Sequence, residues 1–171
     1  MKVLKFGGTS VGSAENINKV ISILQQQSKS SKIVVVVSAV GGITNKLIEA
    51  AELACEKDSD YINKYNNIWS IHNKVIEGLF INPENDNEIQ QQHDVLHEII
   101  SDKLYKLRSL LDGIYLINEL SPKTKDKLLS YGEYCSSTII SYTLRSRHID
   151  AQLKNSQELI VTDSNFNNAQ V

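Results

Sequence analysis

The sequence predicts an α/β fold. Two apolar runs, Val3–Phe6 and Ile33–Val37, each break into a glycine-rich turn and then into a helical pattern. The second run, I-V-V-V-V, is β-branched without polar alternation, as expected of a strand covered on both faces in a parallel sheet. Two prolines and eight glycines in 171 residues leave room for long helices and few turns. Strand, glycine turn and helix, repeated once, is the grammar of α/β proteins. In such sheets ligands lie beyond the carboxyl ends of the strands. Both glycine turns fall there, so they can share one site.

The first strand ends in Lys5-Phe6 and opens into G-G-T-S-V-G-S. Ser13 reads as a helix N-cap with Glu15 in the first turn. Ile17, Val20, Ile21 and Leu24 then make one apolar stripe. After the second strand, Ser38-Ala39-Val40-Gly41-Gly42 leads to a helix opened by Thr44, with Leu47, Ala51 and Ala54 on its inner face. From about Lys57 to Ser121 no strand is evident. Tyr61, Ile68, His72, Val75, Ile76 and Leu79 keep helical spacing, and Asn82-Pro83-Glu84-Asn85 breaks it. Ile89, Leu96, Ile99, Ile100, Leu104, Leu107 and Leu111 form a second helix, expected to stop at Asp112-Gly113. This stretch, 57–121, reads as a helical hairpin inserted in the α/β domain, with Tyr61, Tyr65 and Trp69 in its core. Ser121-Pro122 opens a further helix reaching about Arg147. Ala151–Lys154 and Leu159–Thr162 are short candidate strands. The reading is of a chain cut partway through a sheet.

Composition excludes several classes. The chain is 41% hydrophobic and 22% charged, with 18 Lys and Arg against 20 Asp and Glu, a formal charge of -2. No basic excess suggests nucleic acid. The longest apolar run is the five residues Ile33–Val37, against roughly 20 for a membrane span. Nor is there a secretory h-region. Cys55 and Cys135 form no metal or redox motif, and a reduced cytoplasmic setting is the default.

The first turn presents backbone N–H groups, two hydroxyls (Thr9, Ser10) and the Lys5 ammonium together, a cradle suited to phosphate oxygens as well as an ordinary strand-to-helix turn. It is no Walker loop, because Ser13 stands where that motif has lysine, and no G-x-G-x-x-G. Lys5 sharpens the phosphate reading, since a point cation beside two glycines suits a nucleotide's outer phosphates. In S-A-V-G-G-I-T-N, Thr44 reads as the helix cap, and a cap leaves free N–H groups for an anion. Gly132 inside a helix costs about 1 kcal/mol relative to alanine. A close approach to the backbone would explain it. Glu133 beside it reads as a surface glutamate first and as a contact for a cation or ammonium second. His93 and His97 sit in a polar stretch and read as a solvated helix face; H-D-V-L-H lacks the zincin glutamate. Cys135 lies on an apolar face and reads as core.

Four segments, K-F-G-G-T-S-V from Lys5, V-V-V-V-S-A-V-G-G-I-T-N-K-L from Val34, E-L-S-P-K-T-K-D-K-L-L-S-Y-G-E from Glu119 and E-L-I-V-T-D-S-N-F from Glu158, resemble bacterial aspartate kinase in order and spacing. The resemblance spans essentially the whole chain. It implies a three-layer α/β/α sandwich with a mostly parallel sheet, incomplete here, and transfer of the ATP γ-phosphate to the β-carboxylate of L-aspartate, with Mg²⁺ on the nucleotide. By residue matching, Lys5 is the catalytic cation; Lys5, Phe6, Gly7, Gly8, Ser38, Gly41 and Gly42 face ATP; Thr9, Ser10, Thr44, Asn45 and Glu133 face aspartate. No metal-ligating residue is assigned.

Two positions depart from the family pattern. Tyr134 follows the Gly-Glu pair where arginine is common, and Asn167 stands where glycine is frequent. The family's G-S-D motif, most of its adenosine pocket and its ACT domains have no counterpart in these residues. The expectation is therefore an N-terminal part, 1–171, of a kinase catalytic domain, inactive by itself, from a homo-oligomeric parent; these residues do not tell whether that parent carries ACT domains or a fused homoserine dehydrogenase. The rival readings are another amino acid kinase and a non-catalytic binding or assembly module.

Overall fold

The computed structural model describes residues 1–166 and 168–170. β1 (Lys2–Phe6) and β2 (Ile33–Val37) form a parallel pair in which Leu4 faces Val35 and Phe6 faces Val37. The ladder runs on into the second turn, where Ser38 N–H donates to the Phe6 carbonyl at 3.1 Å. α1 (Ala14–Ser28) crosses between the strands. Its N-cap is Ser13, whose hydroxyl accepts from Asn16 N–H, as the sequence predicts.

Three long helices follow α2 (Ile43–Cys55): α3 (Tyr61–Leu79), α4 (Asn87–Ile117) and α5 (Pro122–Arg145). α2 packs on α3, α4 and α5; α4 packs on α5; α1 packs on α3; and α5 reaches β2. One core joins Ile17, Ile21 and Leu24 of α1 to Leu47 and Ala51 of α2, Ile68 and Ile76 of α3, Leu104 and Leu111 of α4 and Cys135 and Ile139 of α5. Cys135 is fully buried, and burial pushes its thiol up to about 12. The helical hairpin is thus continuous with the domain core.

Several expectations need correction. β2 is covered on one face only: Ile33, Val35 and Val37 pack on the core, but Val34 and Val36 are each 45% exposed and their neighbour Val3 is 65% exposed. The β-branched run marks a strand suited to two-sided burial, and the described residues supply one side. α4 does not stop at Asp112-Gly113. Asp112 is held by Arg108 Nε at 2.7 Å and the Tyr61 hydroxyl at 2.6 Å, so it anchors the helix against α3. The stop comes at Asn118 in the left-handed region, φ 58°. Ala151–Lys154 and Leu159–Thr162 pair with no strand among the described residues. Asn155 caps a one-turn helix, α6 (Ser156–Leu159), because its side chain satisfies Gln157 N–H locally. His93 is not solvated: its side chain is 15% exposed, against Phe80 and beside Asp94 Oδ1 at 3.1 Å. Tyr61 is buried as expected, while Tyr65 and Trp69 are half-buried and edge an open depression with Tyr105. Asn167 lies outside the described residues.

His72 is buried in α3, and its Nδ1–H donates to the Ile68 carbonyl at 2.8 Å, which leaves Nε2 bare. Burial holds its pKa below the ordinary 6.5. As pH falls through that value the unfolded chain takes a proton that the folded chain refuses, so stability is full above it and declines below it. The denaturant midpoint is expected to drop between about pH 7.5 and about pH 5 more in the native sequence than in His72→Leu. Equal drops in the two proteins would remove His72 as the cause.

Candidate active site

Parallel strands in register bring their C-terminal turns to the same height. After β1 the chain enters a single 3₁₀ turn, Gly8–Val11, with Ser10 N–H donating to the Gly7 carbonyl at 2.9 Å. The Thr9 carbonyl is held by Asn16 Nδ2 at 3.0 Å, which ties the turn to α1. After β2 the second turn passes over the first. A Cβ on Gly41 would lie 3.2 Å from the Gly8 carbonyl oxygen and 3.3 Å from the Gly12 Cα, and one on Gly8 would lie 3.2 Å from the Ala39 carbonyl oxygen. These are backbone neighbours that cannot rotate away, so the two turns interlock because they lack side chains.

Gly42 has φ 80°, a conformation that favours glycine, and it rather than Thr44 is the N-cap of α2. Thr44 is therefore inside the first turn of the helix, and both Thr44 and Asn45 are exposed there. The expected Thr44 cap fails because the αL glycine already turns the chain, with Ile43 N–H donating to the Val40 carbonyl at 3.0 Å. No side chain caps this helix. An uncapped N-terminus presents N–H groups and a positive dipole end.

Lys5 lies opposite Val36 on the open face of the sheet and is exposed. Among the described residues its ammonium has no hydrogen-bond or ion-pair partner. Phe6, one residue on, turns its ring to the core, so only its backbone borders the turn. Thr9 and Ser10 are exposed at the first turn; Ser38 is half-buried between the strands and α5.

α5 closes the other side. A Cβ on Gly132 would sit 2.7 Å from the Ala39 Cβ, so the glycine is what lets the helix touch the second turn. Glu133 then reaches the turn: its Oε1 accepts from Ala39 N–H at 3.3 Å while the side chain stays largely exposed. Three residues on, buried Ser136 donates to the Ser38 carbonyl at 2.6 Å. Sequence reading passes over Ser136; its i+3 spacing from Glu133 is the available signal. Tyr134 points elsewhere, under the Lys103 ammonium at 3.8 Å from its ring centre.

The arrangement joins a cation without a partner among the described residues, two backbone turns stripped of side chains, an uncapped helix start and a carboxylate held at one oxygen. A model of the amino acid kinase family matches residues 1–169. The chain belongs to the amino acid kinase family. Aspartokinase 1, chloroplastic, of Arabidopsis thaliana is 30% identical over 173 residues, covering 99% of this chain and 28% of the relative. The bifunctional aspartokinase/homoserine dehydrogenase of Buchnera aphidicola is 28% identical, over 97% of this chain and 20% of its own length. Among solved structures, E. coli aspartokinase III in complex with aspartate and ADP superposes with a TM-score of 0.83 at 28% identity, covering 99% of this amino acid kinase chain and 34% of that one. The lysine and aspartate complex of the same enzyme gives 0.82. The chain thus spans about a third or less of the length of the proteins it matches.

Among the described residues no group of three His, Cys, Asp or Glu side chains converges as metal ligands, and no helix is long and apolar enough to cross a membrane.

The contact at Gly132 is directly testable. Gly132→Ala gains about 1 kcal/mol of helix propensity but meets overpacking of about 1–3 kcal/mol, because the Ala39 Cβ it strikes is fixed to backbone. Adding Ala39→Gly removes the collision. Thermal unfolding of the four proteins in the cycle should show a favourable coupling of about 1 kcal/mol between the two changes. Additive effects would mean that α5 does not approach the turn this closely.

Proposed function

We propose that the chain is the N-terminal part of an aspartate kinase catalytic domain, whose parent transfers the γ-phosphoryl group of ATP to the β-carboxylate of L-aspartate. The observation that carries the reading is the interlock of the two glycine turns, with Lys5 leading into one and Glu133 tied to the other. A carboxylate oxygen attacks the γ-phosphorus, the bond to the β,γ-bridging oxygen breaks, and ADP and 4-phospho-L-aspartate are formed. The nucleophile is already anionic, so no base is required. What the site must do is hold two polyanions in line and offset their repulsion.

The residues fit a nucleotide on these grounds. Gly7, Gly8, Gly41 and Gly42 let phosphate oxygens approach backbone N–H groups with no Cβ between, and the Phe6 and Ser38 backbones set the two turns side by side. The Lys5 ammonium is free to follow the charge of the transferring group. Mg²⁺ would enter on the phosphates, where it supplies charge neutralisation. Thr9, Ser10, Thr44 and Asn45 offer exposed polar groups for aspartate, and Glu133 a carboxylate for its ammonium. The open face bearing Val3, Lys5, Val34 and Val36 suits a covering layer, completing a three-layer sandwich. Two free cysteines are in keeping with a reduced, cytoplasmic setting. The parent is read as a homo-oligomer.

In the full-length enzyme Lys5→Ala is expected to lower kcat about 10²–10³-fold, and Glu133→Ala to raise the KM for aspartate about tenfold with less effect on that for ATP. Acyl phosphate trapped as hydroxamate measures both. The 171-residue chain alone is expected to form none. Unchanged kinetics in both variants would sink the assignment, and a substrate panel in which glutamate, acetylglutamate or carbamate outruns aspartate would replace aspartate with that acceptor.

A further inference from the structure

The Ser38–Ala39 peptide is held at both of its polar ends by one helix. Its carbonyl accepts the Ser136 hydroxyl at 2.6 Å, and its N–H donates to Glu133 Oε1 at 3.3 Å. Ser136 is fully buried, and its other acceptor, the carbonyl of Glu133, is farther away at 3.2 Å. The hydroxyl is therefore committed to the turn rather than to ordinary back-bonding within the helix. Gly132 brings the helix into contact at the same residue, Ala39. The next carbonyl along, that of Ala39, is the atom a side chain on Gly8 would strike. A rotation of this one peptide plane would move the Ala39 N–H off the carboxylate and the Ser38 carbonyl off the Ser136 hydroxyl.

We propose that Ser136 is a positioning residue for the reaction: by fixing the Ser38–Ala39 peptide it keeps Ala39 N–H on one oxygen of Glu133 and leaves the other oxygen for the substrate ammonium. This rests on the reading of Glu133 as the aspartate contact. The neighbouring Ser137 and Thr138 hydroxyls both return to the Tyr134 carbonyl of their own helix, so Ser136 is set apart from them by its partner. A carboxylate with one oxygen already bonded loses less freedom on binding an ammonium than a freely rotating one.

The test is a kinetic cycle in the full-length enzyme. Ser136→Ala is expected to raise the KM for aspartate about tenfold and to change that for ATP less than about twofold. In a Glu133→Ala background the same change should alter the aspartate KM less than about twofold, because its effect passes through the carboxylate. An equal effect in both backgrounds, an equal rise for ATP, or no effect in the native background overturns the proposal. Where the alanine protein does not fold, Ser136→Cys keeps the volume with a much weaker donor and the same outcomes apply to it. Should Glu133→Ala itself leave the aspartate KM unchanged, it is the assignment of Glu133 that fails. If Glu133→Ala acts and Ser136 does not, only the positioning role fails.

Discussion

Backbone meets backbone where the two strand-end turns cross, and no side chain fits between them. The Gly8 carbonyl, the Gly12 Cα and the Gly41 Cα lie within a spacing that a single Cβ would violate. The contact is possible only because β1 and β2 are parallel and in register, with Ser38 N–H extending the ladder onto the Phe6 carbonyl. A slip of one residue would reverse every side chain and separate the turns. The rest of the molecule keeps this crossing in place. α1 holds the first turn through Ser13 and Asn16, and α5 holds the second through Ser136 and Glu133.

Such a crossing is rich in backbone groups and poor in bulk, which suits it to an anion. The charged groups stand around it. Lys5 comes from the strand's uncovered face and Glu133 from the helix on the far side of the second turn, and each is exposed. In water such charges interact weakly, since the effective dielectric constant is high. The influence of such charges grows wherever water is excluded around them. Lys5 has no partner among the described residues and Glu133 has only a backbone N–H. Lys5 takes no part in holding the fold among the described residues, and Glu133 contributes one long backbone contact to the second turn.

The sequence made the strands, the helical stretch and the N-caps at Ser13 and Ser121 legible because each follows from local rules: β-branched runs, apolar stripes and side chains that bond the next turn. What it concealed was tertiary. Asp112-Gly113 has the look of a helix end, but Arg108 and Tyr61 hold the aspartate and carry α4 on to Asn118. Thr44 has the chemistry of a cap, but Gly42 takes that place through its φ. His93 lies in a polar sequence yet packs against Phe80 across the hairpin. The late apolar segments lack a strand to pair with among the described residues, so β-propensity does not decide their state. At the site the glycines and Lys5 were readable as chemistry, and Glu133 only through the family resemblance. Their convergence depended on the register of two strands, and Ser136 was hidden because its one signal, the i+3 spacing from Glu133, would suit any serine one turn along a helix.

α5 shows why a residue costly to a helix can mark its most useful turn. Glycine there sacrifices about 1 kcal/mol of propensity, and any larger residue would meet the Ala39 Cβ at 2.7 Å. The gain is proximity. With the helix axis drawn in, the next residue can place a carboxylate on the turn's N–H and the residue three further can place a hydroxyl on its carbonyl. Were the helix displaced outward by the width of a methyl group, both bonds would be broken, because hydrogen bonds weaken steeply beyond their normal length. Gly132, Glu133 and Ser136 therefore form one device in which a missing side chain sets the distance, a carboxylate supplies the charge, and a buried hydroxyl fixes the plane against which that charge is held.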